Sequence, residues 1–356
     1  MLTITLDEPG TFSAATTEEP TRKPGEALVR LHRLGVCGTD LHAFTGKQPF
    51  FDYPRILGHE LGVEVLEIDD DAANNPRAVA VGDRCCIAPL LTCAHAGKPL
   101  CVACRRGKTN CCEHIAVLGV HTDGGMRERF VVPAANLYAS ETLSYDQLAL
   151  VETLCIGGHA VDRAEIEKDE FALVIGAGPI GLTAVQFLQA AGAKVAVMDL
   201  SDERLGFCRD AAGVKHLVNP GKGDATEQLR GLKSDGASGP NGGSGDLPTA
   251  IFDATGHPGS MMGTFDLIAP GGRIVFIGLF PGEVTFNDPN FHKRECTLLA
   301  SRNSKPSNFE KTIAMIEAGQ IDTTPWITHR LPLAGVPDQF AGLAKQPGLI
   351  KAMIEA

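Results

Sequence analysis

The sequence is short of positive charge. Its 32 lysines and arginines face 43 aspartates and glutamates, a formal net charge of -11 with a pI near 5.5. That balance repels phosphate backbones and anionic membrane surfaces, so no nucleic acid and no membrane are expected as partners. Charged residues of both signs reach only 21%, against 44% hydrophobic residues, which excludes a chain that is disordered throughout. The opening MLTITLDEPG lacks the basic n-region and apolar h-region of a secretory signal and has no transit-peptide character, so a cytoplasmic protein is expected. Internal repeats and coiled-coil heptads are missing as well. One uncharged run, Phe171 to Ala193, is long enough to cross a bilayer. It is interrupted by Gly176, Gly178, Pro179 and Gly181 and carries Gln186 and Gln189, a pattern that suits a buried strand, turn and helix better than a lipid-facing span.

A chain of 356 residues has enough apolar side chain for two domains. Up to about Ala149, β-prone runs such as Ala27 to Leu31, Gly62 to Ile68 and Arg129 to Val132 alternate with turns rich in Gly, Pro and Asp, the pattern of a mostly β domain. From about Val151 the pattern becomes strand then amphipathic helix, repeated, with strands expected at Ala172 to Ile175, Lys194 to Asp199, Ala250 to Asp253 and Arg273 to Gly278. This is the α/β signature of a doubly wound parallel sheet. After about Arg294 come a short strand, a helix near Asn308 to Ala318, and a terminal strand and helix. The expected division is therefore 151–294 for the parallel-sheet domain and 1–150 for the β domain, completed by 295–356. Asp69 to Ala78, Ala94 to Leu100 and Ser234 to Leu247 read as surface loops.

Leu173 to Gly181 reads as a strand opening into GxGxxG and a helix. In such a turn Gly176 permits the tight bend, Gly178 lets a pyrophosphate approach the backbone and Gly181 lets the helix pack on the strand. The phosphates sit over Pro179 and Ile180, where the helix N-terminus favours anions. The next strand ends at Asp199, placed to hydrogen-bond an adenosine ribose, and its charge opposes a 2′-phosphate, so NAD is expected over NADP. Arg204 is a nearby cation that weakens the opposition.

Seven of the eleven cysteines fall between Cys85 and Cys112. In a large chain without a secretory signal, such clustering points to metal more than to disulfides. Cys93, Cys101, Cys104 and Cys112 supply four thiolates, a closed set suited to structural zinc; Cys111, His95 and His114 are alternatives for one position. Near the N-terminus, Cys37 and His59 are zinc-preferring donors, and Glu60 and the distant Glu152 supply oxygen to a site left open for substrate.

Together these blocks resemble the zinc-containing medium-chain dehydrogenases, the alcohol, sorbitol and threonine dehydrogenases, in the same order and over almost the whole chain. The resemblance implies a GroES-like β domain with catalytic zinc and a Rossmann domain for NAD. It implies Cys37, His59, Glu60 and Glu152 as catalytic-zinc ligands or exchanging carboxylates, and Thr39 as the hydroxyl that passes on the substrate proton. His42 becomes the relay histidine, and Asp40 the carboxylate that orients the zinc-bound His59. Cys101, Cys104 and Cys112 match the structural-zinc lobe, whereas Cys93 stands across an apparent insertion and Thr153 replaces a usual proline. LGVHTDGG at Leu118 to Gly125 and SRN at Ser301 to Asn303 look most like the polyol and sugar-acid branch, similar to L-gulonate and L-galactonate 5-dehydrogenases. The implied function is hydride transfer from a secondary alcohol of a small-molecule polyol or sugar acid to NAD, with zinc lowering the pKa of the coordinated alcohol. An L-threonine 3-dehydrogenase-like enzyme and a non-catalytic NAD- and zinc-binding sensor are the alternatives, and Cys37, His59 and Glu60 argue against a zinc-free quinone reductase. A homodimer or homotetramer is expected. Phe44, His121, Met126, Arg127 and Arg302 are left open as pocket, core or surface.

Overall fold

The computed structural model describes all residues except 49–50, 70, 72 and 233–246. The chain forms two compact units, Met1–Thr153 with Lys305–Ala356, and Leu154–Ser304. The first unit begins with a hairpin of β1 (Leu2–Glu8) and β2 (Thr11–Thr16), then β3 (Glu26–Gly35), the short helix α1 (Gly38–Phe44), β4 (Glu60–Glu67), β5 (Arg84–Ile87) and β6 (Leu90–Leu91). A cysteine-bearing excursion with the single-turn helix α2 (Val102–Arg105) leads to β7 (Ala116–Val117), β8 (Arg129–Pro133), β9 (Leu137–Ala139) and the helix α3 (Tyr145–Ala164), within which the two units divide. β3 is the hub. It pairs antiparallel with β4 and β8, and its far end, Arg33 to Gly35, pairs with the last strand of the chain. Ile4, Val29, Leu31, Leu34, Leu57, Leu61, Val63 and Phe130, none more than 2% exposed, form the core that this sheet covers.

The second unit continues α3 with β10 (Phe171–Ile175), α4 (Pro179–Ala190), β11 (Lys194–Met198), α5 (Asp202–Ala212), β12 (His216–Val218), α6 (Ala225–Arg230), β13 (Ala250–Asp253), α7 (Pro258–Leu267), β14 (Arg273–Phe276), α8 (Asp288–Arg294) and β15 (Thr297–Ala300). All six strands are parallel, in the spatial order β12-β11-β10-β13-β14-β15. Counted within the unit this is 3-2-1-4-5-6, so the strand order reverses between β10 and β13, the switch point where such sheets bind ligands beyond their carboxyl ends. Every residue of β10 and β13 is buried, because parallel strands are covered on both faces. The uncharged run thus becomes β10, a turn and α4, and among the described residues no helix is long and apolar enough to cross a membrane.

The chain then returns to the first unit through α9 (Pro306–Glu317), β16 (Ile327–Pro332), α10 (Val336–Leu343) and β17 (Lys351–Glu355). The return comes at Lys305 and not at 295, since β15 hydrogen-bonds in register to β14 and extends the parallel sheet. A strand this short carries no sequence mark of which sheet it joins. Of the expected loops, Ala94 to Leu100 is exposed. Of the loop expected from Asp69 to Ala78, Asp69 accepts from Arg22 and the buried Asn75 side chain bonds the Val79 backbone, while residues 70 and 72, like residues 234–246 of the third loop, lie outside the described residues.

Gly181 shows how closely α4 packs. A Cβ there would lie 1.7 Å from the Gly176 carbonyl oxygen, a backbone atom that no rotamer change moves aside. Gly181→Ala is expected to cost at least ~1–3 kcal/mol, the range for overpacking a tight core. Denaturant unfolding monitored on purified protein checks this, and an unchanged midpoint would contradict the packing.

Candidate active site and metal centres

Cys37 follows β3 and caps the N-terminus of α1; His59 immediately precedes β4, which opens with Glu60 and lies beside β3 with Glu60 opposite Gly35. Sheet pairing therefore brings the two sequence blocks together. One ligand atom from each of Cys37, His59 and Glu60 lies within 4.8 Å of the others. Gly35 makes room for the carboxylate, because a Cβ at that position would come within 2.1 Å of Glu60 Oε2. Asp40, 1% exposed, accepts the Cys37 N–H at 2.9 Å through Oδ2 and faces His59 Nδ1 with Oδ1 at 4.0 Å. Glu152, from the first-unit end of α3, is 8% exposed and acts electrostatically on His59, but stands outside the three-residue ligand set.

The sequence patterns did not single out Lys351. It is 2% exposed on β17, and its Nζ donates to Glu60 Oε1 at 2.5 Å while lying equally close to Oε2, off the hydrogen-bonding direction. The available signal was a lysine inside the run Leu349-Ile350-Lys351-Ala352-Met353-Ile354, where a charge is costly unless paired.

Burial and crowding dominate the electrostatics. Burial pushes Glu152 up to about 7, with Glu60 and Asp40 adding to the rise and His59 and Lys351 opposing it. Burial likewise raises Asp40. For His59 burial works against the charged form, yet Cys37, Asp40 and Glu152 together hold its pKa well above the ordinary histidine value. Asp40 Oδ1, His59 Nδ1 and Glu60 Oε2 are buried without a hydrogen-bond partner. Buried orphans of this kind, with one soft and two harder donors converging, fit a zinc ion with an open position. Thr39 on α1 is half-buried and His42 is exposed.

The second cluster is closed. Cys93, Cys101, Cys104 and Cys112 bring their sulfurs within 4.8 Å of one another. The Cys93–Cys112, Cys93–Cys104 and Cys101–Cys112 separations are 3.2, 3.7 and 4.0 Å. Thiolates about 2.3 Å from zinc in a tetrahedron have edges of about 3.8 Å, so the four positions suit that ion. Backbone amides of Glu113 and Cys104 hold Cys101 down at about 6, while burial and the neighbouring sulfurs push Cys104 up. Cys111 is exposed, His95 is turned to Thr92 and Asn136, and His114 lies by Lys98; none of the three belongs to the set.

At the switch point of the second unit, a cleft of about 500 Å³ is lined by Gly176, Asp199, Leu200, Pro220, Thr255 and His257 among others. Gly176 has φ +95°, and a Cβ on Gly178 would meet no protein atom within 4 Å, so only an incoming group would need the space there. Pro179 and Ile180 form the first turn of α4. Arg204 is exposed on α5 and does not line the cleft. A carboxylate the sequence reading passed over, the fully buried Asp253 at the end of β13, accepts the Thr255 N–H and hydroxyl at 2.9 and 2.7 Å and the Ser260 hydroxyl at 2.5 Å. Of the residues left open, Met126 is core, Phe44 stacks on Phe12, Arg127 lies over Phe130, and His121 and Arg302 are exposed.

Residues 23–142 match the alcohol dehydrogenase GroES-like domain and residues 179–318 the zinc-binding dehydrogenase family. Over 91% of its length the chain is 40% identical to an L-galactonate-5-dehydrogenase of Escherichia coli strain K12, covering 89% of that protein. The chain belongs to the zinc-binding alcohol dehydrogenases. Among solved structures of this family, an Escherichia coli CFT073 alcohol dehydrogenase complexed with NADH superimposes with a TM-score of 0.87 at 28% identity, with 100% of this chain and 99% of that one covered. A zinc-binding dehydrogenase of Sinorhizobium meliloti 1021 bound to NADP does so with a TM-score of 0.86 at 26% identity, with the same coverage. As a member the chain is a GroES-like and Rossmann oxidoreductase acting on alcohols.

Cys104→Ala is expected to leave the protein with about one zinc fewer per chain and a lower Tm, since a structural metal contributes its binding energy to folding. Metal analysis of the purified variant checks this; full zinc content would rule out the four-thiolate centre.

Proposed function

We propose that the chain oxidises a secondary alcohol of a polyol or sugar acid, with zinc held by Cys37, His59 and Glu60 and with NAD as hydride acceptor. The observation that carries the proposal is the convergence of those three donors, two of them less than a tenth exposed, on one point beside Asp40 and Lys351. Cys37, His59 and Glu60 would hold the zinc, which would supply Lewis-acid polarisation of the alcohol oxygen, and the cleft at Gly176 and Asp199 would hold the NAD, which would supply the hydride acceptor. Asp40 orients His59, and Lys351 holds Glu60 by its carboxylate. Thr39 and His42 are three residues apart on one face of α1, the first half-buried beside Cys37 and the second open to solvent. They form the route by which the hydroxyl proton leaves. Asp199 at the cleft disfavours a 2′-phosphate, which supports NAD in a family whose members hold either dinucleotide. The 40% identity to an enzyme named for L-galactonate supports the sugar-acid substrate class.

For the assembly we propose a cytoplasmic homodimer or homotetramer. All eleven cysteines are free thiols, which suits a reducing compartment. The parallel sheet ends at β15 with Leu298 exposed, an open edge that self-association would cover.

The test is a screen for NADH formation with aldonic acids, hexitols and L-threonine, with zinc measured on the same sample. A zinc-dependent rate with an aldonate or hexitol is expected. A rate with threonine alone would replace the substrate class, and no rate with zinc and NAD both bound would turn the reading to a sensor. In the same assay the KM for NADP is expected to exceed that for NAD; an equal or lower value would overturn the preference.

A further inference from the structure

We infer that Asp199 is a strut for the phosphate-binding loop as well as a reader of the ribose, so that the carboxylate cannot be removed to admit NADP without loosening the pyrophosphate site. The inference rests on the dinucleotide reading of this cleft.

Parallel pairing of β10 with β11 ends at the Ile175–Met198 rung. Two further contacts continue the ladder beyond it. Gly176 N–H donates to the Met198 carbonyl at 2.8 Å, and Ala177 N–H donates to Asp199 Oδ2 at 2.7 Å, twenty-two positions along the chain. The second contact is a side chain doing what a strand backbone would otherwise do. Asp199 is held for this work, because its other oxygen accepts the Ser201 N–H at 2.8 Å at the start of α5.

The loop has little else to hold it. Ala177 is the one non-glycine residue between Ile175 and the cap of α4, and it is 1% exposed. Its amide is buried, so without Asp199 it would be left unpaired or the loop would shift to reach another acceptor. Gly178, the N-cap of α4, touches nothing through the position of its absent side chain, and Pro179 at the first helical position brings no N–H. In the first turn of α4 the donors that face an anion are the amides of Ile180 and Gly181, whose direction depends on where the loop sets the start of the helix.

A reader-only carboxylate and a strut differ in sign. Removing a negative charge beside a pyrophosphate improves its binding on electrostatic grounds alone. Removing a strut weakens it. The probe is an NAD analogue whose adenosine ribose lacks both hydroxyls, so that nothing remains for a reader to read. Calorimetric titration of the zinc-loaded protein is expected to show Asp199→Ala binding this analogue about tenfold or more weaker than wild type, the scale of losing a hydrogen bond to a charged acceptor. Asp199→Asn keeps an acceptor oxygen without the charge and should recover most of that loss. Analogue binding by Asp199→Ala as tight as wild type, or tighter, would overturn the strut.

A second measurement avoids substitution. In the cofactor-free wild-type protein, hydrogen exchange of the peptide containing Ala177 should show that amide protected; exchange at the rate of an open loop would overturn the inference. If wild type itself fails to bind NADH, the dinucleotide reading falls, an outcome separate from a wild type that binds while Asp199→Ala loses nothing.

Discussion

Everything in the first unit is arranged around a concentration of buried negative charge that the protein does not balance by itself. Asp40, Glu60 and Glu152 are each less than a tenth exposed, and the Cys37 thiol adds a fourth acidic group. Against them the chain sets one lysine and a histidine whose positive form burial disfavours. Taking a carboxylate out of water costs several kcal/mol per ion unless it is paired and hydrogen-bonded. Three oxygen and nitrogen atoms of this group have no hydrogen-bond partner. A dication is the partner that such a set lacks, and the pKa directions agree. Burial pushes Glu152 up to about 7, and Cys37, Asp40 and Glu152 hold His59 above its ordinary value, the directions that crowded acidic groups around one point produce.

The topology follows from that requirement. Gly35 sits on β3 between Glu60 of β4 on one side and Met353 of β17 on the other. Residues two apart on a strand share a face, so Lys351 reaches the side of the sheet where Gly35 has left space for the carboxylate. This explains why the chain must come back after the parallel-sheet unit, since without β17 Glu60 would be buried with no counter-charge. The second unit solves the opposite problem. Two of its carboxylates are satisfied by neutral donors, three from Thr255 and Ser260 for the buried Asp253 and two backbone amides for the half-buried Asp199. They shape the loops around the cleft and leave the binding of phosphate to the start of α4.

Features contiguous in the sequence were legible before any coordinates. The GxGxxG turn with Asp199, the Cys37 and His59–Glu60 blocks, and the alternation that marks each sheet all depend on spacings within one or two elements. The four-cysteine lobe was legible despite the long step from Cys93 to Cys101, because a loop of exposed residues, Ala94 to Leu100, carries the extra length. What depends on distant pairing was not legible. Lys351 lies 291 positions from Glu60, and only the register of β17 on β3 joins them. β15 belongs to the parallel sheet through its rungs with β14, while its four residues carry no pattern that chooses between sheets. Asp253 looked like the end of a strand because its partners, Thr255 and Ser260, become donors only once the turn into α7 is made.

The two candidate metal clusters differ in the chemistry they would allow. Four thiolates around a dication leave the lobe with a net negative charge and no free coordination position, so it has nothing with which to polarise a substrate. At the other cluster one thiol, one imidazole and one carboxylate converge and Lys351 donates to Glu60, so a dication held there would meet only two anionic ligands. Such an ion would keep more of its positive character than one among four thiolates. Lys351, by restraining Glu60 and drawing charge from it, would sharpen a Lewis acid held there. The number of thiolates committed, four in one cluster and one in the other, and the buried Lys351 beside the second would be what divides a structural metal from a reactive one.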